Sequence, residues 1–284
     1  MSRLPEFKGL MAPVFTPFLD DLTINYGIIE EYAQMLKAKG ISAFLVNGTS
    51  GEGMSLSVEE RKKVTEKWME VCRKFDILVM VQISGCPFSD VVELAKHASA
   101  LKVDGILCLP ELYFKPKTVT QLVEYMKDIS KNCNKIPLYY YHIPQFTQVD
   151  LNMALFMKEA KKEIPNFCGI KFTSGDLEKG LPCLEYGQVF LGSDTILCGA
   201  IALGFESAIM TTLNINPDIS IKIMEFMKAG NIEEARKQQM KLNILVNSYL
   251  EKSKLFVVNQ ILRFSFNSNS RKLRLGSSYE TSFQ

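Results

Sequence analysis

Three short stretches of the chain hold residues that suit carbonyl chemistry. The first is Phe167-Cys168-Gly169-Ile170-Lys171-Phe172-Thr173. A lysine inside an apolar strand loses hydration, which disfavours its ammonium form. A neutral amine attacks a carbonyl and forms a Schiff base. The plain alternative is a lysine whose head reaches the rim or pairs with a carboxylate.

The second stretch is Tyr139-Tyr140-Tyr141, followed by His142-Ile143-Pro144. Strand alternation puts Tyr139 and Tyr141 on one face and Tyr140 on the other. A phenol at Tyr141, beside Lys171 on the next strand, would move a proton to and from a substrate oxygen. Tyr139, Tyr140 and His142 read as packing residues.

The third is Gly48-Thr49-Ser50-Gly51-Glu52-Gly53. Its glycines let backbone approach a ligand, and successive N–H groups can form an anion nest. No Gly-Lys-Ser/Thr follows, so a carboxylate suits this loop better than a triphosphate. Together the three stretches suit a 2-oxo acid. Its carboxylate would sit in the nest, its ketone on the lysine, and the tyrosine would carry the proton traffic. No metal or organic cofactor is needed for this class I aldolase chemistry.

Those residues need a scaffold that brings strand ends to one mouth. Eight apolar runs recur along the chain, near 10–15, 43–46, 77–83, 105–109, 138–141, 168–172, 189–191 and 208–211. Helical stretches fill the gaps, one of them opened by the capping box Ser57-Val58-Glu59-Glu60. Strands apolar on both faces, each followed by a helix, imply parallel pairing under helices. Eight such units predict a (β/α)8 barrel, with the active site at the C-terminal strand ends. A doubly wound sheet is the alternative, but no dinucleotide fingerprint follows the first run. The expected division is a barrel over 1–215, C-terminal helices over 216–258 and a divergent, poorly ordered tail over 259–284.

Composition narrows the class. The chain has 284 residues, 47% hydrophobic and 23% charged, with net charge +2. Lys and Arg (33) are interspersed with Asp and Glu (31), which argues against nucleic acid as a partner. No apolar run approaches a membrane span or a signal peptide. Seven scattered cysteines and two histidines make a metal site hard to build and suggest reduced thiols in the cytosol.

The loop 48–53 with Leu56-Ser57-Val58-Glu59-Glu60-Arg61, together with Tyr141-His142-Ile143-Pro144 and Gly169-Ile170-Lys171-Phe172-Thr173, resembles the N-acetylneuraminate lyase and dihydrodipicolinate synthase superfamily. Tyr139–Pro144 and Val46-Asn47-Gly48-Thr49 are most similar to its animal N-acetylneuraminate lyase branch. The resemblance covers about residues 7 to 250. It implies a homotetrameric barrel that cleaves N-acetylneuraminate to N-acetylmannosamine and pyruvate. Lys171 would form the Schiff base and Tyr141 would donate the proton. Thr49 and Ser50 would hold the carboxylate, and Thr173 would lie near the sugar hydroxyls. Gly192-Ser193-Asp194-Thr195 matches the family's Gly-x-Asp-Glu, whose members contact the sugar tail. Met210-Thr211-Thr212-Leu213-Asn214 matches its Gly-Ser-Thr-Tyr-Asn, which places Thr211 at the site.

The chain departs from the family at three places. Thr195 replaces the family glutamate, and Met210 replaces a glycine, an expected gain of bulk at the mouth. The segment 259–284 matches none of the family's C-terminal markers. The first two departures motivate a 2-keto-3-deoxy sugar acid aldolase as an alternative. With the altered tail they also motivate a non-catalytic barrel that only binds sialic acid. No arginine follows Tyr141-His142-Ile143-Pro144, where dihydrodipicolinate synthases keep one for a second carboxylate. Tyr113 and Phe114 are placed either for packing or to approach a neighbouring subunit's site.

Overall fold

The computed structural model describes residues 2–252. Eight parallel strands close into a barrel in sequence order: β1 Gly9–Pro13, β2 Ala43–Val46, β3 Leu78–Gln82, β4 Gly105–Cys108, β5 Leu138–His142, β6 Phe167–Phe172, β7 Gln188–Leu191 and β8 Ser207–Ile209. The expected barrel is the observed one. The helices are α1 Ile29–Ala38, α2 Val58–Lys74, α3 Phe88–Ala100, α4 Val119–Ser130, the single turn α5 Pro144–Thr147, α6 Met153–Glu163, α7 Leu177–Gly180, α8 Leu197–Ala202, α9 Pro217–Lys228 and α10 Ile232–Lys252. Because α9 follows β8, the eightfold alternation runs on to residue 228. The expected tail from 259 and the last residues of the expected C-terminal helices lie outside the described residues.

Alternation along each strand divides the core in two. Met11, Leu45, Met80, Leu107, Tyr139, Tyr141, Phe190 and Ile209 fill the barrel interior. Phe44, Val46, Val79, Val81, Ile106, Tyr140, Ile170 and Phe172 point outward into the helix layer. Each face of every strand is therefore covered, which is why the strands read as continuous apolar runs. Leu4, fully buried, plugs the N-terminal end of the barrel against Gly105, where a Cβ would meet its side chain at 2.3 Å.

α2 starts as the capping box predicts: the Ser57 hydroxyl accepts from the Glu60 N–H, and the Glu60 carboxylate accepts from the Ser57 N–H at 2.8 Å. Its Trp68 packs edge-on against Tyr32 (5.6 Å) and Phe44 (5.4 Å), which joins α1 and α2 to β2.

One irregularity positions chemistry. The β5–β6 register slips at Cys168: Leu138 pairs with Phe167, but Tyr139 pairs with Gly169. The extra residue is a bulge. From there Tyr141 pairs with Lys171. Gly169 is required at this point, since a Cβ would lie 1.8 Å from the Gln188 carbonyl oxygen on β7. A one-residue slip would turn Lys171 out of the barrel.

Candidate active site

Lys171 is the fifth of six residues in β6, and Tyr141 the fourth of five in β5. Both side chains enter the barrel at its C-terminal end, and Lys171 is only 5% exposed. Its Nζ donates to Tyr141 Oη at 3.0 Å and lies 4.2 Å from the ring centroid. Tyr141 Oη is in turn 3.1 Å from Thr49 Oγ1. Amine, phenol and hydroxyl form one chain of hydrogen bonds linking β6, β5 and the loop after β2.

That loop is shaped by its own packing. A Cβ at Gly51 would lie 2.8 Å from the Val14 carbonyl oxygen, and one at Gly53 would lie 2.0 Å from that of Asn47. These two glycines let the loop fold back on the ends of β1 and β2. Thr16 Oγ1 adds a 2.6 Å bond to the Gly51 carbonyl. The loop's second hydroxyl, Ser50 Oγ, lies 2.8 Å from Thr211 Oγ1. Sequence placed Thr211 at the end of the eighth strand. The strand stops at Ile209, and Thr211 opens the turn that follows.

Met210 corrects an expectation. It is 1% exposed and packs in the outer layer between barrel and helices, so it adds no bulk at the mouth. Parity explains this: Ile209 faces inward, so Met210 faces out and Thr211 faces in.

Thr173 follows Lys171 by two residues, and its N–H donates to the His142 carbonyl at 2.8 Å. Its Oγ1 is buried and has no hydrogen-bond partner. Gly192 packs directly on it, since a Cβ there would come within 2.0 Å of Thr173 Oγ1. Asp194 and Thr195 lie in the turn Asp194–Ile196 after β7. Asp194 Oδ1 accepts from the Thr212 N–H at 3.1 Å and from the Thr212 hydroxyl. Burial pushes the Asp194 carboxyl above its usual range, although the Thr212 donors oppose this. Thr195 Oγ1 is 3.4 Å from Ser193 Oγ.

His142 behaves as a packing residue. It is 1% exposed, faces the helix layer and stacks on Phe172 at 5.0 Å. Among the described residues no cluster of three or more His, Cys, Asp or Glu is placed to hold a metal, and no helix is long and apolar enough to cross a membrane.

A family model described as the dihydrodipicolinate synthetase family matches residues 6–274. The chain belongs to this family. Among its relatives, N-acetylneuraminate lyase B of Xenopus laevis is 36% identical over 241 residues, covering 84% of this chain and 91% of that protein. The N-acetylneuraminate lyase of Danio rerio is 32% identical over 244 residues, covering 84% and 80%. Among solved structures, the N-acetylneuraminate lyase (sialic acid aldolase) from Aliivibrio salmonicida superposes with a TM-score of 0.83 at 33% identity, over 86% of this chain and 82% of that one.

Sequence reading of this family member missed the residues that hold the site residues in place. Thr212 fixes Asp194. The Asn214 amide donates to the carbonyls of Pro13 and Thr211, both at 3.0 Å, and its Oδ1 accepts from the buried Tyr32 hydroxyl at 2.8 Å. Both residues stood inside the family motif at 210–214, but of these partners all except Thr211 are 18 to 201 residues away in sequence.

Proposed function

We propose that this chain is a class I N-acetylneuraminate lyase, cleaving the sugar acid to N-acetylmannosamine and pyruvate. The observation that carries the reading is the hydrogen-bonded chain Lys171–Tyr141–Thr49 at the barrel mouth. Relatives named N-acetylneuraminate lyase over most of the chain support it.

Lys171 Nζ attacks the ketone carbon of the open-chain acid, and water leaves as the iminium forms. The iminium draws electrons from the carbon chain, so the carbon–carbon bond one position further on breaks. The hydroxyl carbon beyond that bond becomes the aldehyde of N-acetylmannosamine as its proton is taken up, and the other fragment remains as an enamine. The enamine carbon takes a proton, and hydrolysis returns pyruvate and free Lys171. Tyr141 lies within hydrogen-bond reach of the amine and of Thr49, a position suited to both proton transfers. Ser50, Thr49 and Thr211 supply hydroxyls for the carboxylate. Thr173 Oγ1, left without a protein partner, suits a substrate hydroxyl beside Gly192. Asp194 and Thr195 would meet the polyol tail.

A turnover assay on N-acetylneuraminate with pyruvate detection tests the activity. Borohydride reduction with pyruvate tests the chemistry: a pyruvyl adduct on Lys171 is expected, and its absence overturns the reading. Thr195, uncharged where the family has glutamate, favours a second reading, an aldolase for shorter 2-keto-3-deoxy sugar acids. Faster cleavage of such an acid than of N-acetylneuraminate would decide for it. Sialic acid binding without turnover would indicate a non-catalytic barrel.

A homotetramer is part of the proposal. Tyr113 and Phe114, 84% and 82% exposed, pack edge-on against each other at 4.9 Å. Exposed aromatic pairs of this kind mark protein contacts. A cytosolic location fits the seven free cysteines, five of them buried.

A further inference from the structure

Gln239 lies on α10, outside the barrel and far in sequence from every residue considered above. Its side chain reaches the loop after β7. Nε2 donates to the Asp194 carbonyl oxygen at 2.9 Å and to Asn243 Oδ1 at 2.8 Å. Oε1 accepts from the Cys198 N–H at 2.8 Å. We infer that Gln239 is a positioning residue for the turn Asp194–Ile196, and through it for the polyol end of the substrate. The inference deepens the function proposed above and rests on it for the roles of Asp194 and Thr195.

The geometry is that of a clamp. Asp194 opens the turn and Cys198 lies in the first turn of α8, with Thr195 between them. One planar amide bonds a carbonyl on one side and an N–H on the other, which fixes the separation of the two ends. The turn has no side-chain cap of its own. The Asp194 carboxylate is turned towards the loop after β8, where its Oδ1 accepts from the Thr212 N–H and hydroxyl. Asn243, one helical turn beyond Gln239, accepts from the same Nε2 and so orients the amide.

The clamp extends across the mouth. Thr212 joins the Asp194 turn to the loop after β8, and the neighbouring Thr211 meets Ser50. α10 thus acts on the sugar end of the site without touching Lys171 or Tyr141. Loosening it weakens contacts to the tail and leaves Schiff-base formation intact.

Gln239→Leu keeps the side-chain size and removes both bonds to the turn. The expected result is a KM for N-acetylneuraminate raised about tenfold, the scale of one or two neutral hydrogen bonds. The kcat and the pyruvate adduct trapped on Lys171 should stay at the parent's level, and the Cys198 amide should exchange faster. An unchanged KM, or a folded variant that loses KM, kcat and trapping together, overturns the inference. Gln239→Glu provides a second arm. It keeps the acceptor for Cys198 but faces the Asp194 carbonyl with another oxygen, so it should raise KM while Cys198 stays protected. If Gln239→Leu does not fold, this variant decides the question by its KM. Trapping in the parent chain separates the two ideas. No adduct there overturns the reading of the site, whereas an adduct with no KM effect overturns the clamp.

Discussion

Lys171 and Tyr141 are register partners on β6 and β5, and the amine donates to the phenol at 3.0 Å. Each side chain thereby limits the other's rotamers, and the amine and the phenol arrive at the mouth together. Lys171→Ala should abolish lyase turnover and pyruvate trapping while thermal unfolding stays cooperative. Tyr141→Phe keeps the ring and removes the proton. It should lower kcat by about a hundred- to ten-thousand-fold, the usual share of general acid–base catalysis. Trapping on Lys171 should survive, more slowly. Parent-like kcat in Tyr141→Phe would remove the tyrosine from the mechanism.

That partnership depends on the bulge at Cys168. Gly169→Ala would put a Cβ 1.8 Å from the Gln188 carbonyl oxygen, a clash with backbone that cannot rotate away. The expected cost is about 2–3 kcal/mol of stability. Activity should fall further than stability explains, because relief of the clash shifts the strand that carries Lys171. Denaturant unfolding and kcat of the same sample test this. A variant with full kcat would show that the register tolerates the bulge being rebuilt.

The barrel was legible because its strands are apolar on both faces. Ala43–Val46 was bounded to the residue, and 77–83 shrank only to Leu78–Gln82. Lys171 and Tyr141 were legible because each interrupts such a run with a reactive group near its end. Short elements were harder to read. The helical stretches that fill the gaps after β6 and β7 come down to the single turn Leu177–Gly180 and the short Leu197–Ala202. Local pattern is weak over four residues, and tertiary contact decides. Met210 was misplaced by analogy with a family glycine, because its facing follows from that of Ile209, which only the closed barrel sets. Gly51 and Gly53 read as ligand approach because their close neighbours, Val14 and Asn47, are fixed only by the folded loop.

Arg61 shows a cost that pattern alone does not reveal. It is 1% exposed on α2, and its guanidinium meets the Gln82 carbonyl and Oε1 at 3.0 and 2.8 Å. The Asn47 amide donates to the Arg61 backbone carbonyl at 3.0 Å, so the residue also backs the loop of Thr49 and Ser50. Burial pushes its pKa down. Arg61→Ala should cost about 3 kcal/mol or more, from a cavity and unpaired Gln82 groups. Arg61→Met fills most of the volume and removes a buried charge, so it should cost less. Melting temperatures of the two variants check the order, and Met as damaging as Ala would show that the hydrogen bonds dominate.

His142 should make stability depend on pH. Burial lowers its pKa from 6.5 to about 4, with Asp150 opposing the shift and Lys179 adding to it. Below pH 6.5 the unfolded chain takes up a proton that the folded chain refuses until about pH 4. The unfolded state then binds more protons, so stability is full above pH 6.5 and falls as the pH drops through this window. A displacement of this size amounts to about 3 kcal/mol across the window. Carboxylates titrate in the same range, so the informative quantity is the difference between parent and His142→Phe. Phenylalanine keeps the stacking on Phe172 and removes Nδ1, which is buried without a partner. The variant's stability, measured by denaturant unfolding at pH 7 and pH 4.5, should fall less than the parent's. His142→Leu should behave alike if the larger ring does not fit. Parallel pH curves for parent and both variants would mean that His142 titrates normally and that the helix layer admits its charge.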